Sequence, residues 1–139
     1  MATHGSENSS ILYNQEDGSD ADGSPMDNVF IESGDIDIDE GNQFSFISRI
    51  IPDIKFFGST PTSGQINYVL KTRNYPGESL TTSSTSDVTS STTQNFVRTR
   101  ARQMVFRVQS DDDADTTVRT GFKWRLGANR FDIRTDGRR

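Results

Sequence analysis

The chain has no cysteine and a single histidine, His4. Without thiols there is neither a disulfide framework nor a thiolate metal site. His4 lies in a Ser-, Asn- and Asp-rich stretch that offers no rigid support for catalytic geometry. A Gly-rich phosphate loop and a G-x-S-x-G elbow are also missing. The adjacent acids Asp111-Asp112-Asp113 read as a solvated turn rather than an acid/base pair. No enzyme is expected, and no cofactor, metal or small-molecule substrate. No apolar run approaches the roughly 20 residues that span a bilayer. The opening MATHGSENSS lacks the basic and apolar regions of a signal peptide, so a soluble chain outside the secretory route is expected. Apolar residues make up 30% of the chain, against roughly 45–50% for ordinary globular domains on a count that includes Gly. The core should be thin, with part of the order supplied by neighbours.

Lysine and arginine are absent from the first 48 positions, which hold eleven carboxylates; those positions carry −11, and the rest of the chain +6. Residues 1–27 show no periodicity and read as an extended acidic arm ahead of a β domain at 28–139. Ile11, Leu12 and Tyr13 are the arm's apolar cluster and could anchor it on a neighbour by strand addition. The ladder Asp35, Asp37, Asp39 begins like a calcium loop. Glu40 stands where that loop needs Gly, however, and Phe46 where it needs a bidentate Glu, so a solvated strand face is the better reading.

What the chain does have is two-residue alternation. Short strands are expected around Val29 and Ile31 and around Ile36 and Ile38, with a turn at Glu40-Gly41-Asn42. In the next run Phe44, Phe46, Ser48 and Ile50 are expected on one face, with Ile47 and Ile51 on the other. Pro52 ends that ladder, a strand with Ile54 and Phe56 inward follows, and Gly58-Ser59-Thr60-Pro61 turns the chain. Ile66, Tyr68 and Leu70 mark the cleanest strand, closed by Asn74-Tyr75-Pro76-Gly77. Residues 81–93 are almost pure Ser and Thr, and composition leaves strand and loop equally open. Phe96 leads into Arg98, Arg100 and Arg102; Met104, Phe106 and Val108 then alternate with Val105, Arg107 and Gln109. Phe122, Trp124 and Leu126 precede Gly127-Ala128-Asn129, followed by Phe131 and Ile133, which reads as a hairpin with Trp124 in its core. The expected fold is all-β, an antiparallel meander of about eight or nine short strands, propeller-blade-like or sandwich-like.

Arg98, Arg100, Arg102 and Arg107 could form a basic sheet face that grips phosphate. No aromatic platform is read between them and the net charge is negative, so pairing with acids such as Asp132 at a subunit interface is favoured.

Several of these residues also carry a resemblance: Arg102-Gln103-Met104, Arg107, Ser110, Trp124-Arg125-Leu126-Gly127, Arg130, Asp132 and Asp136-Gly137-Arg138-Arg139, with Ile51-Pro52-Asp53 and Phe57-Gly58 upstream. Together they resemble the C-terminal region of the tail nozzle, or DNA-stabilisation, structural proteins of short-tailed bacteriophages. The likeness covers roughly residues 15–139 and is specific from Arg102 on; Ala101 replaces an expected Gly, and the acidic loop at 111–115 is longer. It implies a virion structural protein of a phage tail, in the nozzle that closes the distal end and lets DNA pass during ejection. The implied partners are other tail proteins and copies of itself in a six-fold ring, with transient contact to passing DNA. The location would be the virion tail, and the host cytoplasm during assembly. The parent family's nozzle is a propeller, for which this chain is too short; it is expected to be a separately encoded piece, or part of a longer chain, that completes a sheet supplied by another chain. The alternative is a stand-alone β-sandwich binding or decoration module, receptor-binding or capsid-associated.

Overall fold

The structure, a computed structural model, describes residues 2–6, 9–13, 20–21, 24–26, 28–37, 42–58, 66–111 and 122–137. Ile38, Asp39, the Glu40-Gly41 step, the turn from Ser59 to Pro61, Asp112 to Asp115 and Arg138-Arg139 lie outside these residues. The described residues contain strands and no helix. In chain order the strands are β1 (Ala2–Ser6), β2 (Ser9–Tyr13), β3 (Asp20–Ala21), β4 (Ser24–Pro25), β5 (Phe30–Glu32), β6 (Ile36–Asp37) and β7 (Ser45–Ile51). They continue with β8 (Ile54–Phe57), β9 (Ile66–Arg73), β10 (Thr81–Val88), β11 (Asn95–Ala101), β12 (Gln103–Ser110), β13 (Lys123–Leu126) and β14 (Arg130–Thr135). The protein is all-β, with ten strands from Phe30 onward.

Two sheets make the body. One runs β10-β9-β12-β5, with β6 also on β12; the other runs β11-β7-β14. The faces of β9 and β12 follow from alternation: Ile66, Tyr68 and Leu70 on β9, and Met104, Phe106 and Val108 on β12, are all buried. Ile47 and Ile50 of β7 and Val97 and Ala101 of β11 join the same apolar cluster, so the two sheets share one core in sandwich-like layers. Phe106 ties them: its ring meets Tyr68 edge-on at 5.0 Å within its own sheet and Phe131 of β14 at 4.9 Å across the layer. The Ser/Thr stretch is a strand through Val88, held by its ladder to β9 and anchored by the fully buried Val88. A turn follows in which Thr92 Oγ1 accepts from the Thr89 N–H at 3.0 Å.

Three expectations change. In β7 the inward residues are Ile47 and Ile50, three apart, because the ladders to β11 and β14 both slip around Ser48; Phe46 therefore faces out rather than sharing a face with Ile50. The expected hairpin at Gly127 is not one. β13 pairs with β8 and β14 with β7, making a long two-stranded ribbon bent at Pro52-Asp53 opposite Gly127-Ala128-Asn129. Trp124 is half-buried against the core, its indole N–H donating to Ser110 Oγ at 3.3 Å. Finally, the stretch expected as an extended arm contains paired strands: β1 lies antiparallel to β2, and β3 to β4. Ile11, Leu12 and Tyr13 are the last three residues of β2. Alternation is weak there, and the cross-strand hydrogen bonds of a tight hairpin do not need it.

The bend is locked by polar groups. Gly127 N–H donates to the Asp53 carbonyl at 2.7 Å, Ala128 N–H to Asp53 Oδ2 at 2.9 Å and Asp53 N–H to Asn129 Oδ1 at 2.9 Å. The Tyr68 hydroxyl donates to the same Asn129 oxygen at 2.7 Å. A Cβ at position 127 would sit within 2.8 Å of all three Asp53 carboxylate atoms, so a side chain there would push that carboxylate off the Ala128 N–H.

Candidate interaction surface

The four arginines singled out from sequence do not share a face, because the chain passes from one sheet to the other at Arg102. Arg98 and Arg100 are on β11 and Arg107 is on β12; Arg102 sits at the bend between them. Arg107 points out of the larger sheet, over the Phe30 ring at 3.7 Å and 3.6 Å from Glu32, although its Nε is buried with no hydrogen-bond partner among the described residues. Glu32 also accepts from Lys71 at 2.6 Å. This bond, reinforced by the positive charge of Lys71 and Arg107, holds the Glu32 carboxyl below the usual carboxylate range. Arg73 on the same face bonds Asp35 and donates to Gln103 at 2.9 Å. Asp37 of the acidic ladder lies opposite Gln103.

On the smaller sheet, Arg100 donates to Asp136 Oδ2 at 2.5 Å and to the Asp136 carbonyl at 3.0 Å, and its guanidinium lies 3.9 Å over the Phe44 ring. Arg102 shares that ring at 4.9 Å and donates to the Asn42 carbonyl at 3.4 Å. Asp132, expected as a partner of these arginines, bonds Arg49 across the β7–β14 ladder at 2.6 Å. These pairs lie within one chain.

A surface forms beside them that the sequence reading did not assemble. Phe46, Ser48, Phe96, Arg98 and Arg134 line an open groove of about 790 Å³ on the outer face of β7, β11 and β14. Phe96 is 74% exposed, and Arg134 lies 4.7 Å over the Phe46 ring. An aromatic platform does therefore stand among the arginines, contrary to the expectation. The signal was present in the alternation Phe96, Arg98, Arg100. Phe46 was missed because the Ser48 bulge reverses its side.

Positive charge continues onto the β8–β13 half of the ribbon, where Lys55 is directly opposite Arg125 and Lys123 opposite an exposed Phe57. Like charges facing across a ladder repel. The strands and bend of this side (residues 45–57, 95–101 and 123–137) carry eight cations and three carboxylates. Arg98, Arg130, Arg134, Lys55, Lys123 and Arg125 make no ion pair with any described residue. Such a surface can hold anionic and apolar groups of a partner; no described group of three or more His, Cys, Asp or Glu is arranged to hold a metal ion. Compared with protein-family models and with curated proteins, the chain matches none.

Proposed function

We propose that the chain is a structural protein of a phage virion, part of the tail nozzle that closes the distal end of a short tail and lets DNA pass during ejection. It works by contact rather than catalysis, with other tail proteins and copies of itself as partners. The family and the six-fold ring come from the sequence resemblance. The observation that carries an assembly role is the outer face of β7, β11 and β14. Six cations of that face and the adjoining β8–β13 ribbon lack an ion-pair partner among the described residues, beside the exposed rings of Phe96 and Phe57. Arginine and aromatic side chains are enriched where proteins meet, and charge left unmatched on one face favours a partner of opposite sign. In this reading the chain resides in the virion tail, and in the host cytoplasm during assembly. A density map of intact particles tests it: the chain should be located in the tail, and particles lacking it there would refute the reading.

A second reading, a stand-alone β-sandwich module for binding or decoration, is favoured by the core. Ile47, Leu70, Met104 and their neighbours are buried by the chain's own strands. A purified chain that stays monomeric at high concentration and melts in one cooperative step would select this second reading.

A further inference from the structure

The two layers of the sandwich end unequally. β14 faces β12 through the Phe131–Phe106 contact, while β5 and β6 extend the other sheet one strand beyond β12. No described strand lies on the free side of β14. The core-facing residues at this margin are partly exposed. Ile133 is paired with the fully buried Ile47 yet is 36% exposed, and Ile31, paired with the buried Val108, is 53% exposed. A strand edge with unpaired N–H and C=O groups, bordered by apolar side chains on its core face, is a template for another strand.

We infer that the free edge of β14 receives the β1–β2 hairpin of a second copy of this chain, β2 lying against β14. The two strands are close in length, five residues in Ser9–Tyr13 against six in Arg130–Thr135. Within one copy the hairpin forms a two-stranded sheet of its own, separate from β14, and an isolated two-stranded hairpin is marginal in water. By alternation Ile11 and Tyr13 share one face of β2, and that face would cover the exposed margin. Arg130 and Arg134 on that edge have no carboxylate partner among the described residues, and the first 48 positions of the chain carry −11. The donor strand and the acceptor edge are different patches of one chain, so the contact is heterologous and can propagate from copy to copy. This deepens the reading of the chain as an assembly subunit and rests on it.

Sedimentation of the full chain over a range of concentrations tests the docking, using three full-length variants. Ile133→Lys places a charge on the inward side of the acceptor edge, Arg130→Glu with Arg134→Glu reverses that edge's charge at exposed positions without touching the core, and Ile11→Asp with Tyr13→Asp alters the donor. The parent should self-associate, each variant should be monomeric at concentrations where the parent is not, and an equimolar mixture of an acceptor variant with the donor variant should form a one-to-one dimer. Amide exchange at residues 130–135 should slow as parent concentration rises. A parent that remains monomeric, a mixture that does not pair, or β14 protection independent of concentration, as docking within one copy would give, overturns the inference. A monomeric chain that is nevertheless located in the tail would overturn this docking and leave the virion reading standing.

Discussion

The outer faces of the two sheets solve the same electrostatic problem in opposite ways. On the β5-β12-β9-β10 sheet each cation, Lys71, Arg73 and Arg107, touches a carboxylate of the same chain. On the β11-β7-β14 sheet and its β8–β13 continuation only Arg49 and Arg100 do so among the described residues. Residues that pair internally add to the fold at little cost in specificity, whereas uncompensated like charge opposes the fold until something anionic arrives. The first face reads as finished surface and the second as a surface awaiting contact.

The largest test asks whether the two faces belong to one cooperative unit. Phe106→Ala removes the ring that joins Tyr68 to Phe131 and should cost about 3–5 kcal/mol in chemical denaturation. Separate transitions for the two sheets in the parent would show that the comparison is between independent units. Charge reversal then separates the faces. Arg107→Glu should destabilise by about 1–2 kcal/mol, since it sets a carboxylate beside Glu32 and removes the stack on Phe30, while Arg98→Glu should stay within about 0.5 kcal/mol. Equal costs would erase the distinction. Lys55→Glu, which places an acid opposite Arg125, should stabilise the chain by about 0.2–1 kcal/mol in low salt, and the gain should shrink as salt is added. A loss of stability would mean that Lys55 already has a partner.

The smallest effect is in pH. Glu32 has a lowered pKa in the folded chain, chiefly through its bond from Lys71. The stability it adds is fully present above the ordinary carboxylate pKa and is lost as pH falls through the folded one. Glu32→Gln should flatten the acid limb of the stability profile by about 0.5 kcal/mol, and an unchanged limb would remove Glu32 from the account.

The strands legible in the sequence were those whose partners do not alter their period. β9 and β12 lie side by side in full register, so Ile66, Tyr68, Leu70, Met104, Phe106 and Val108 fall where alternation puts them. β7 was misread at Phe46 because one slipped register moves every later side chain to the other face. Leu126-Gly127-Ala128-Asn129 looks like a hairpin turn locally. Only the distant Asp53 makes it a bend in a ribbon, and no window of neighbouring residues contains that information. The arginines were individually visible, but their division between two sheets depends on a crossing at Arg102 that local pattern does not encode. The partners of Arg100 and Arg107, Asp136 and Glu32, are distant in sequence for the same reason.

The placement of β7 has a further consequence, for the timing of synthesis. β7 begins at Ser45, but its two neighbours in the sheet are β11 and β14, the latter spanning Arg130–Thr135. A chain emerging from the ribosome can close the β9–β10 hairpin early, yet Ile47 and Ile50 wait for partners made much later. Until β14 emerges, one layer of the sandwich lacks a strand and its core face is open to other nascent copies.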